Sequence, residues 1–231
     1  MPTGRGAGLI EWRTGRTAHP REAGNDGRTC DEGNDGRTCE ESRDRSIGEE
    51  GMALTSRLAR RADLPELLPL IDAAIGELQK GFLDEAQIAS SRSIMGIDTQ
   101  LVDDGTYFVV ESAGSLAGCG GWSRRATLYG GDHSQGRDPA LLDPARDPAK
   151  VRGMYTHPSF VRRGVGRLIL ARCEKAAAAE GFRMLELMST LAGRPLYEAA
   201  GFVPVEQVED PAGGVPVRLV RMRKPIAAPA S

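Results

Sequence analysis

The sequence of 231 residues has few of the features that mark membrane, metal-binding or nucleic-acid-binding proteins. It contains no run near the roughly 18 apolar residues that a membrane-spanning helix needs. Its four cysteines, at positions 30, 39, 119 and 173, form no CxxC pair and are accompanied by only three histidines, so metal-ligand spacing is absent. A formal net charge of -2 excludes a general polyanion binder. No metal, membrane or nucleic-acid partner is therefore expected.

A signal peptide is not expected from the opening residues. The opening residues Met-Pro-Thr-Gly-Arg-Gly have no apolar segment of the signal-peptide kind, so the expected location is cytoplasmic. A hydrophobic content of 40% is sufficient for a folded core. Cys119 and Cys173 fall in regular segments and are interpreted as small buried hydrophobic residues.

Residues 1–51 contain very few large apolar side chains and are rich in glycine and charge. Such a segment cannot bury enough surface to offset chain entropy. It also carries a tandem nine-residue near-repeat at 24–32 and 33–41, although two copies are too few for a solenoid. The prediction is a disordered or spurious N-terminal extension over 1–51, a domain over 52–225, and a flexible tail over 226–231.

Beyond the extension, apolar periodicity and turn residues predict alternating strands and helices. Asp63 is the expected cap of the first helix, whose apolar positions include Leu68. Glycine, aspartate and proline mark an irregular loop over 128–150. Strands are predicted at 54–60, 106–111, 115–125, 151–156, 183–188, 202–208 and 215–222, and helices from 63, within 83–95, at 164–180 and at 193–200. This order predicts a mixed sheet with helices on both faces.

A glycine turn leads from the strand ending near Thr156 into the long helix after Gly164. Glycines at a helix start let backbone N–H groups approach an anion, and the helix dipole adds roughly half a positive charge there. Arg162, Arg163 and Arg167 add mobile positive charge. The turn is neither a Rossmann fingerprint, which needs a third glycine where Ile169 stands, nor a P-loop, which needs Gly-Lys followed by Ser or Thr.

Three segments occur in an order that resembles the GNAT superfamily of acetyl-CoA-dependent N-acetyltransferases. They are the strand and turn at 154–166, the strand at 185–188, and the Leu-Tyr-Glu-Ala-Ala-Gly-Phe sequence at 196–202. The resemblance spans Leu54 to Lys224. It implies an α/β (mixed α+β) fold with a central mixed, mostly antiparallel sheet of about six or seven strands. It also implies a splayed central strand and helices on both faces.

The resemblance implies that acetyl-CoA is the cosubstrate and that its pyrophosphate lies on the amides of a six-residue turn. Val161 stands where the family normally has Arg or Gln, which removes one side-chain contact and leaves the backbone cradle intact. The strand before the turn is expected to splay at a bulge and to pair with the pantetheine arm, with an N–H near Thr156 polarising the thioester carbonyl. The implied cofactor-binding residues are Met154, Tyr155, Thr156, Val161, Arg162, Arg163, Gly164, Val165, Gly166 and Arg167.

The resemblance also implies a general acid at Tyr197, four residues before the Gly201-Phe202 step. A phenol with a pKa near 10 is comparable to a thiol and can protonate a departing thiolate. The competing interpretation is a wall residue on a short amphipathic helix. The sequence does not identify the general base; a water chain and four side chains are candidates. These four are Glu111, Asp132, His133 and Glu186.

The expected function is transfer of an acetyl group to a primary amine of a small molecule by direct attack in a ternary complex. A peptide or protein amine acceptor, a non-catalytic acyl-CoA-binding sensor and an unrelated nucleotide-binding α/β domain remain alternatives, and a homodimer is left open. Three regions are expected to select the acceptor: the first two helices, the strand end Gly120 to Trp122, and the loop at 129–133. Within the strand end, Trp122 is either a stacking wall or a core residue.

Overall fold

The computed structural model describes residues 53–227, so the predicted extension over 1–51 and residues 228–231 of the predicted tail lie outside it. Ile226, the first residue of that tail, donates its N–H to Arg183 O at 2.9 Å and packs on the core. The strands are β1 (Leu54–Leu58), β2 (Tyr107–Ser112), β3 (Ser115–Ser123), β4 (Ala149–Thr156), β5 (Met184–Thr190), β6 (Val203–Asp210) and β7 (Val217–Pro225). The helices are α1 (Leu64–Leu78), α2 (Glu85–Ser91), α3 (Thr99–Asp103), α4 (Val165–Ala179) and α5 (Arg194–Ala199).

The seven strands form one sheet in the order β1-β2-β3-β4-β5-β7-β6. All neighbours are antiparallel except β4 and β5, which are parallel and connected through α4. A parallel pair requires such a crossover helix, whereas the other neighbours need only turns or loops. The predicted mixed, mostly antiparallel sheet is confirmed.

Two apolar layers cover the two faces of the sheet. On β2, Val109 and Val110 are both buried and point to opposite faces, as alternate residues of a strand must. Val110 packs in the cluster that contains α4, and Val109 packs in the cluster that contains α1 and α3. Helices therefore lie on both faces. Trp122 belongs to the α4 layer, where it meets Phe182 edge-on at 5.8 Å between ring centroids, so its interpretation as a core residue holds.

The centre of the sheet opens between β4 and β5. These strands pair only at Ala149 and Lys150 of β4 and then diverge. On the other side of β4, Gly153 and Met154 together oppose the single residue Gly120, and Gly153 adopts a φ of +60°. An extra residue of this kind bends the strand that carries it. The predicted splay at a central strand is confirmed, and it leaves one edge of β4 without a partner strand.

The first turn of α4 lies directly on β3 because Gly118 has no side chain. A Cβ atom at Gly118 would lie 2.5 Å from Val165 Cγ1 and 2.7 Å from Tyr155 O, far inside normal contact distances. The start of α4 is thus held close to the bulge in β4.

Two local predictions were wrong. The Asp63 carboxylate does not cap α1; it accepts the N–H of Arg60 at 2.7 Å and pairs with Arg57. Leu68, expected in the core, is 51% exposed. The buried stripe of α1 instead follows positions 67, 70, 71, 74 and 75, one helical face that excludes 68.

A buried carboxylate joins β5 to its neighbours. Glu186 accepts hydrogen bonds from Lys150 Nζ at 2.5 Å, Arg223 Nε at 2.6 Å and Arg221 Nε at 2.8 Å. Burial alone would raise the pKa of Glu186, but these three cations outweigh it and lower the pKa to about 2. Glu186 therefore stays ionised as a structural anion.

This ion cluster predicts an acid-sensitive component of stability. The pKa of Glu186 is lower in the folded chain than in the unfolded one. The contribution of the ion cluster to the unfolding free energy is therefore complete above about pH 4.5 and is lost as the pH falls towards 2. Its size is about 3 kcal/mol of unfolding free energy. We expect Glu186→Gln to destabilise the neutral protein and to remove this pH dependence, measured by urea unfolding at pH 5.5 and pH 3. Glu209→Gln, which breaks an exposed pair with Arg218, is the control. An unchanged pH slope in Glu186→Gln would contradict the assignment.

Candidate active site

A groove of about 760 Å³ follows the opening between β4 and β5. It runs from the start of α4, past α5, to the C-terminal end of α1 and the loop after β3. Of the ten predicted cofactor-binding residues, Arg163 alone is not on its wall; the Arg163 guanidinium lies 5.3 Å from the ring centroid of Phe160. The wall contains Met154, Tyr155, Thr156, Val161, Arg162, Gly164, Val165, Gly166, Arg167 and also Tyr197.

The turn before α4 presents unpaired backbone amides. Arg162 and Gly164 both adopt left-handed backbone conformations, with φ of +63° and +89°. No side chain caps α4, and the first backbone hydrogen bond runs from Leu168 N to Gly164 O at 3.0 Å. Within residues 53–227, the N–H groups of 162–167 donate no hydrogen bond to protein atoms. Unpaired amides at a helix N-terminus form an anion-binding site.

Two arginines flank these amides. The side chains of Arg162 and Arg167 are exposed, and neither forms an ion pair in the part of the chain that the structure describes. Their charge adds to that of the helix dipole, which is positive at the same end. The turn therefore concentrates positive potential without a carboxylate to neutralise it.

The two glycines of the turn have different roles. A Cβ at Gly164 would meet no atom within 4 Å, so this position needs glycine only for its left-handed φ. A Cβ at Gly166 would lie 2.6 Å from Leu196 Cδ2, so this glycine lets α5 pack against the first turn of α4. That contact fixes the position of α5, which carries the neighbouring Tyr197, relative to α4.

The unpaired edge of β4 directs one N–H into the opening. His157 N donates to Ala117 O at 2.9 Å, so the N–H of His157 points towards β3. Since N–H groups alternate in direction along a strand, the N–H of Thr156 points away from β3 and towards the gap. This geometry matches the donor expected near Thr156.

Tyr197 lies on α5 with its ring in the core and its hydroxyl at the groove. The ring packs edge-on against Phe202, with 5.9 Å between centroids. The hydroxyl forms no hydrogen bond within the described residues, although Tyr197 is only 8% exposed. Burial, and secondarily the nearby Cys173 thiol, raise the pKa of Tyr197. The phenol is thus protonated at neutral pH and free to donate.

Residues 103–204 match the family of acetyltransferase (GNAT) domains. These residues carry a GNAT acetyltransferase domain. The matched family is one of acyltransferases, and the matched residues lie within the seven-stranded sheet described above. No curated protein sequence matches the chain.

Solved structures share the fold of this GNAT domain. A GCN5-related N-acetyltransferase from Rhodopseudomonas palustris superimposes with a TM-score of 0.55 at 18% identity, covering 74% of this chain and 94% of that one. PaiA N-acetyltransferase from Thermoplasma acidophilum, in complex with coenzyme A, gives 0.53 at 14% identity over 75% and 99% of the two chains. YncA from Salmonella typhimurium, with its cofactor acetyl-CoA, gives 0.51 at 20% identity over 78% and 97%.

The four side chains considered as general bases, three carboxylates and one imidazole, do not line the groove. Glu111 pairs with Arg57 between β1 and β2. Asp132 accepts the N–H of Thr99, and His133 Nε2 lies 2.7 Å from Arg92 O. Glu186 is held in its ion cluster.

A second cavity of about 620 Å³ adjoins the groove and shares with it the wall residues Ile94, Leu128, Tyr129 and Gly130. The β6–β7 hairpin covers this region. Tyr129 OH donates to Asp210 Oδ2 at 2.6 Å, and burial together with this contact raises the pKa of Tyr129 to about 12. The first two residues of the loop at 129–133 thus lie on the groove wall, and the role of this loop in acceptor selection stays a prediction.

The sequence did not reveal two polar residues on the groove wall, Gln79 and Arg152. Gln79 follows the last residue of α1, and Arg152 is an isolated charge in the otherwise uncharged strand segment 151–156. That isolated charge was the available signal. Among the described residues, no helix is long and apolar enough to cross a membrane, and no group of three His, Cys, Asp or Glu could hold a metal ion.

Proposed function

We propose that the groove binds acetyl-CoA and that the domain transfers the acetyl group to a primary amine of a small molecule. The observation that carries this proposal is the set of unpaired amides at 162–167 beside two free arginines, at one end of the β4–β5 opening. A pyrophosphate supplies the charge and the acceptor oxygens that these groups lack. The similarity in fold to PaiA with coenzyme A and to YncA with acetyl-CoA supports this choice of ligand.

The residues beyond the turn fit the rest of such a ligand. The unpaired edge of β4 at Met154 to Thr156 offers backbone groups with which an extended amide chain pairs as an added strand. The Thr156 N–H faces the same gap, where it would polarise a thioester carbonyl. The protonated Tyr197 hydroxyl, further along the wall, would donate the proton that a leaving thiolate requires.

Direct attack by the amine in a ternary complex is favoured over an acyl-enzyme route through a cysteine. Cys119 and Cys173 are fully buried, and burial raises the pKa of both thiols, that of Cys119 to about 12. A nucleophilic cysteine needs an accessible thiolate. Neither described cysteine provides one.

A small acceptor is favoured over a peptide by the cover at the far end of the groove. Besides the Tyr129–Asp210 hydrogen bond, Ser90 Oγ on α2 donates to Val215 O at 2.5 Å, and the hairpin residue Gly213 touches Ser90 so closely that a Cβ would clash. These contacts join the β6–β7 hairpin to α2 and to the loop after β3. An extended peptide needs a channel that is open at both ends.

An amine-library screen for release of free thiol from acetyl-CoA tests the proposal. We expect turnover with a subset of small primary amines and little with peptides that carry a free N-terminus or lysine. Selective turnover of peptides would show that the acceptor is a peptide or protein amine and not a small molecule. Tight acetyl-CoA binding with no turnover on any amine would support the non-catalytic sensor instead.

A further inference from the structure

The acceptor end of the groove contains a buried arginine whose hydrogen-bonding capacity is not filled. The Arg152 side chain is 2% exposed; Nη2 lies 2.8 Å from Asp98 Oδ2 and donates to Gly130 O at 2.7 Å. Nε is buried and has no acceptor, and Nη1 has none within residues 53–227. Buried guanidinium groups normally have partners for their N–H groups.

The charge of Arg152 is only partly neutralised. Asp98 is its one carboxylate partner, yet Asp98 Oδ1 also accepts from Arg137 Nη2 at 2.7 Å. Two guanidinium groups thus share one buried carboxylate, and Asp132, the other carboxylate in contact with Arg137, is exposed. Burial lowers the pKa of Arg152 and the attraction of Asp98 opposes this only in part. The two arginines and two carboxylates sum to zero when the exposed Asp132 is included; among Arg152, Arg137 and Asp98, the less exposed groups, one positive charge is in excess, which suits a monoanion.

An unpaired acceptor atom lies on the same wall. Gln79 Nε2 donates to Ser91 Oγ at 3.0 Å, and Ser91 Oγ in turn donates to Ile88 O at 2.8 Å. This chain of donors fixes the orientation of the Gln79 amide and leaves Oε1 buried without a partner. Gln79 Oε1 is therefore available to accept an N–H.

One short segment of chain contacts both groups. Met95 contacts Gln79 through its sulfur at 3.5 Å, Gly96 N donates to Tyr155 OH at 2.9 Å, and Asp98 binds Arg152. A donor and an acceptor without partners thus lie on the wall of the same groove, beside the bulge of β4.

We infer that the acceptor is an amine that also carries a carboxylate, an amino-acid-like molecule whose carboxylate binds Arg152 and whose N–H groups bind Gln79 Oε1. The inference rests on the proposed function, since it names the acceptor of the same groove. Arg152 is a substrate-binding residue that selects for negative charge. A neutral carboxamide or a decarboxylated amine brings no negative charge to pair with the Arg152 guanidinium.

The test compares a panel of free amino acids with their carboxamides and decarboxylated amines. For the acids that are turned over, we expect kcat/KM to exceed that of the matched carboxamide about 10- to 100-fold, the range for a hydrogen bond between charged groups. Arg152→Gln should bring this ratio close to one, and Arg152→Lys should restore part of it. Arg137→Gln is the comparison variant, because it frees Asp98 for Arg152 without altering the groove wall; its ratio should fall by less than that of Arg152→Gln.

The inference would be overturned if the carboxamides are turned over as efficiently as the acids. It would also be overturned if Arg137→Gln and Arg152→Gln lower the acid-to-carboxamide ratio of kcat/KM equally. If no compound is turned over, the proposed function fails, and calorimetric binding of the same panel to the protein saturated with coenzyme A decides the inference separately. Acids bound at least about tenfold more tightly than their carboxamides would support it. Equal or undetectable binding of the two would overturn it.

Discussion

Replacing Tyr197 by phenylalanine is expected to lower kcat about 100-fold or more, while KM for acetyl-CoA changes less than about twofold. The reason is that the substitution removes only a hydroxyl that is at the groove and has no partner in the described protein. General acids contribute about 10²- to 10⁴-fold to rate. Because burial raises the pKa of Tyr197, the phenol stays protonated through neutral pH, and kcat should show no alkaline loss from this group below about pH 10.

Tyr129→Phe is the matched control for Tyr197→Phe. It also removes a hydroxyl from a tyrosine on the groove wall, but that hydroxyl holds Asp210 in the cover over the acceptor end. We expect Tyr129→Phe to raise KM for the amine and to leave kcat within about threefold, since the loss is that of one hydrogen bond. A Tyr197→Phe enzyme with wild-type kcat would show that Tyr197 is only a wall residue.

Gly164→Asp is expected to weaken acetyl-CoA binding at least about 100-fold. The new carboxylate would stand in open space at the mouth of α4, among the amides that receive the pyrophosphate. Like charges at close range repel by several kcal/mol when partly shielded from water. Isothermal titration calorimetry with acetyl-CoA measures the loss directly.

Gly164→Asn separates charge from backbone strain in this experiment. Asparagine has the size of aspartate and tolerates the left-handed conformation with φ of +89°. We expect it to weaken acetyl-CoA binding less than about tenfold, the strain of a non-glycine residue there being about 1 kcal/mol. Equal affinity of Gly164→Asp and wild type would mean that the phosphates do not bind at this turn.

Local sequence patterns were sufficient for most elements of the fold. The turn at 161–166 and the hairpins depend on residues close in sequence, and glycine, proline and strand alternation report on such short-range geometry. Leu68 was misplaced because apolar spacing alone does not tell which of two adjacent helical faces meets the sheet. The short helix α3 was missed because its five residues carry too little periodicity to detect.

The acceptor end of the site was less predictable, because its contacts join distant parts of the chain. Arg152 meets Asp98 and Gly130, and Tyr129 meets Asp210 across 81 positions. None of these pairs has a local spacing rule. The sequence therefore predicted the anion-binding turn and Tyr197, while the place of Arg152 on the groove wall required the folded structure.

Direct transfer of the acetyl group from acetyl-CoA to an amine is tested by a single-turnover experiment with acetyl-labelled acetyl-CoA. Excess wild-type protein is mixed with the labelled thioester and an amine found in the screen, and mass spectrometry follows the label on the amine and on the protein. We expect the label to pass to the amine with no acetylated protein at any time. Label that first accumulates on the protein, or that stays on coenzyme A, would contradict it.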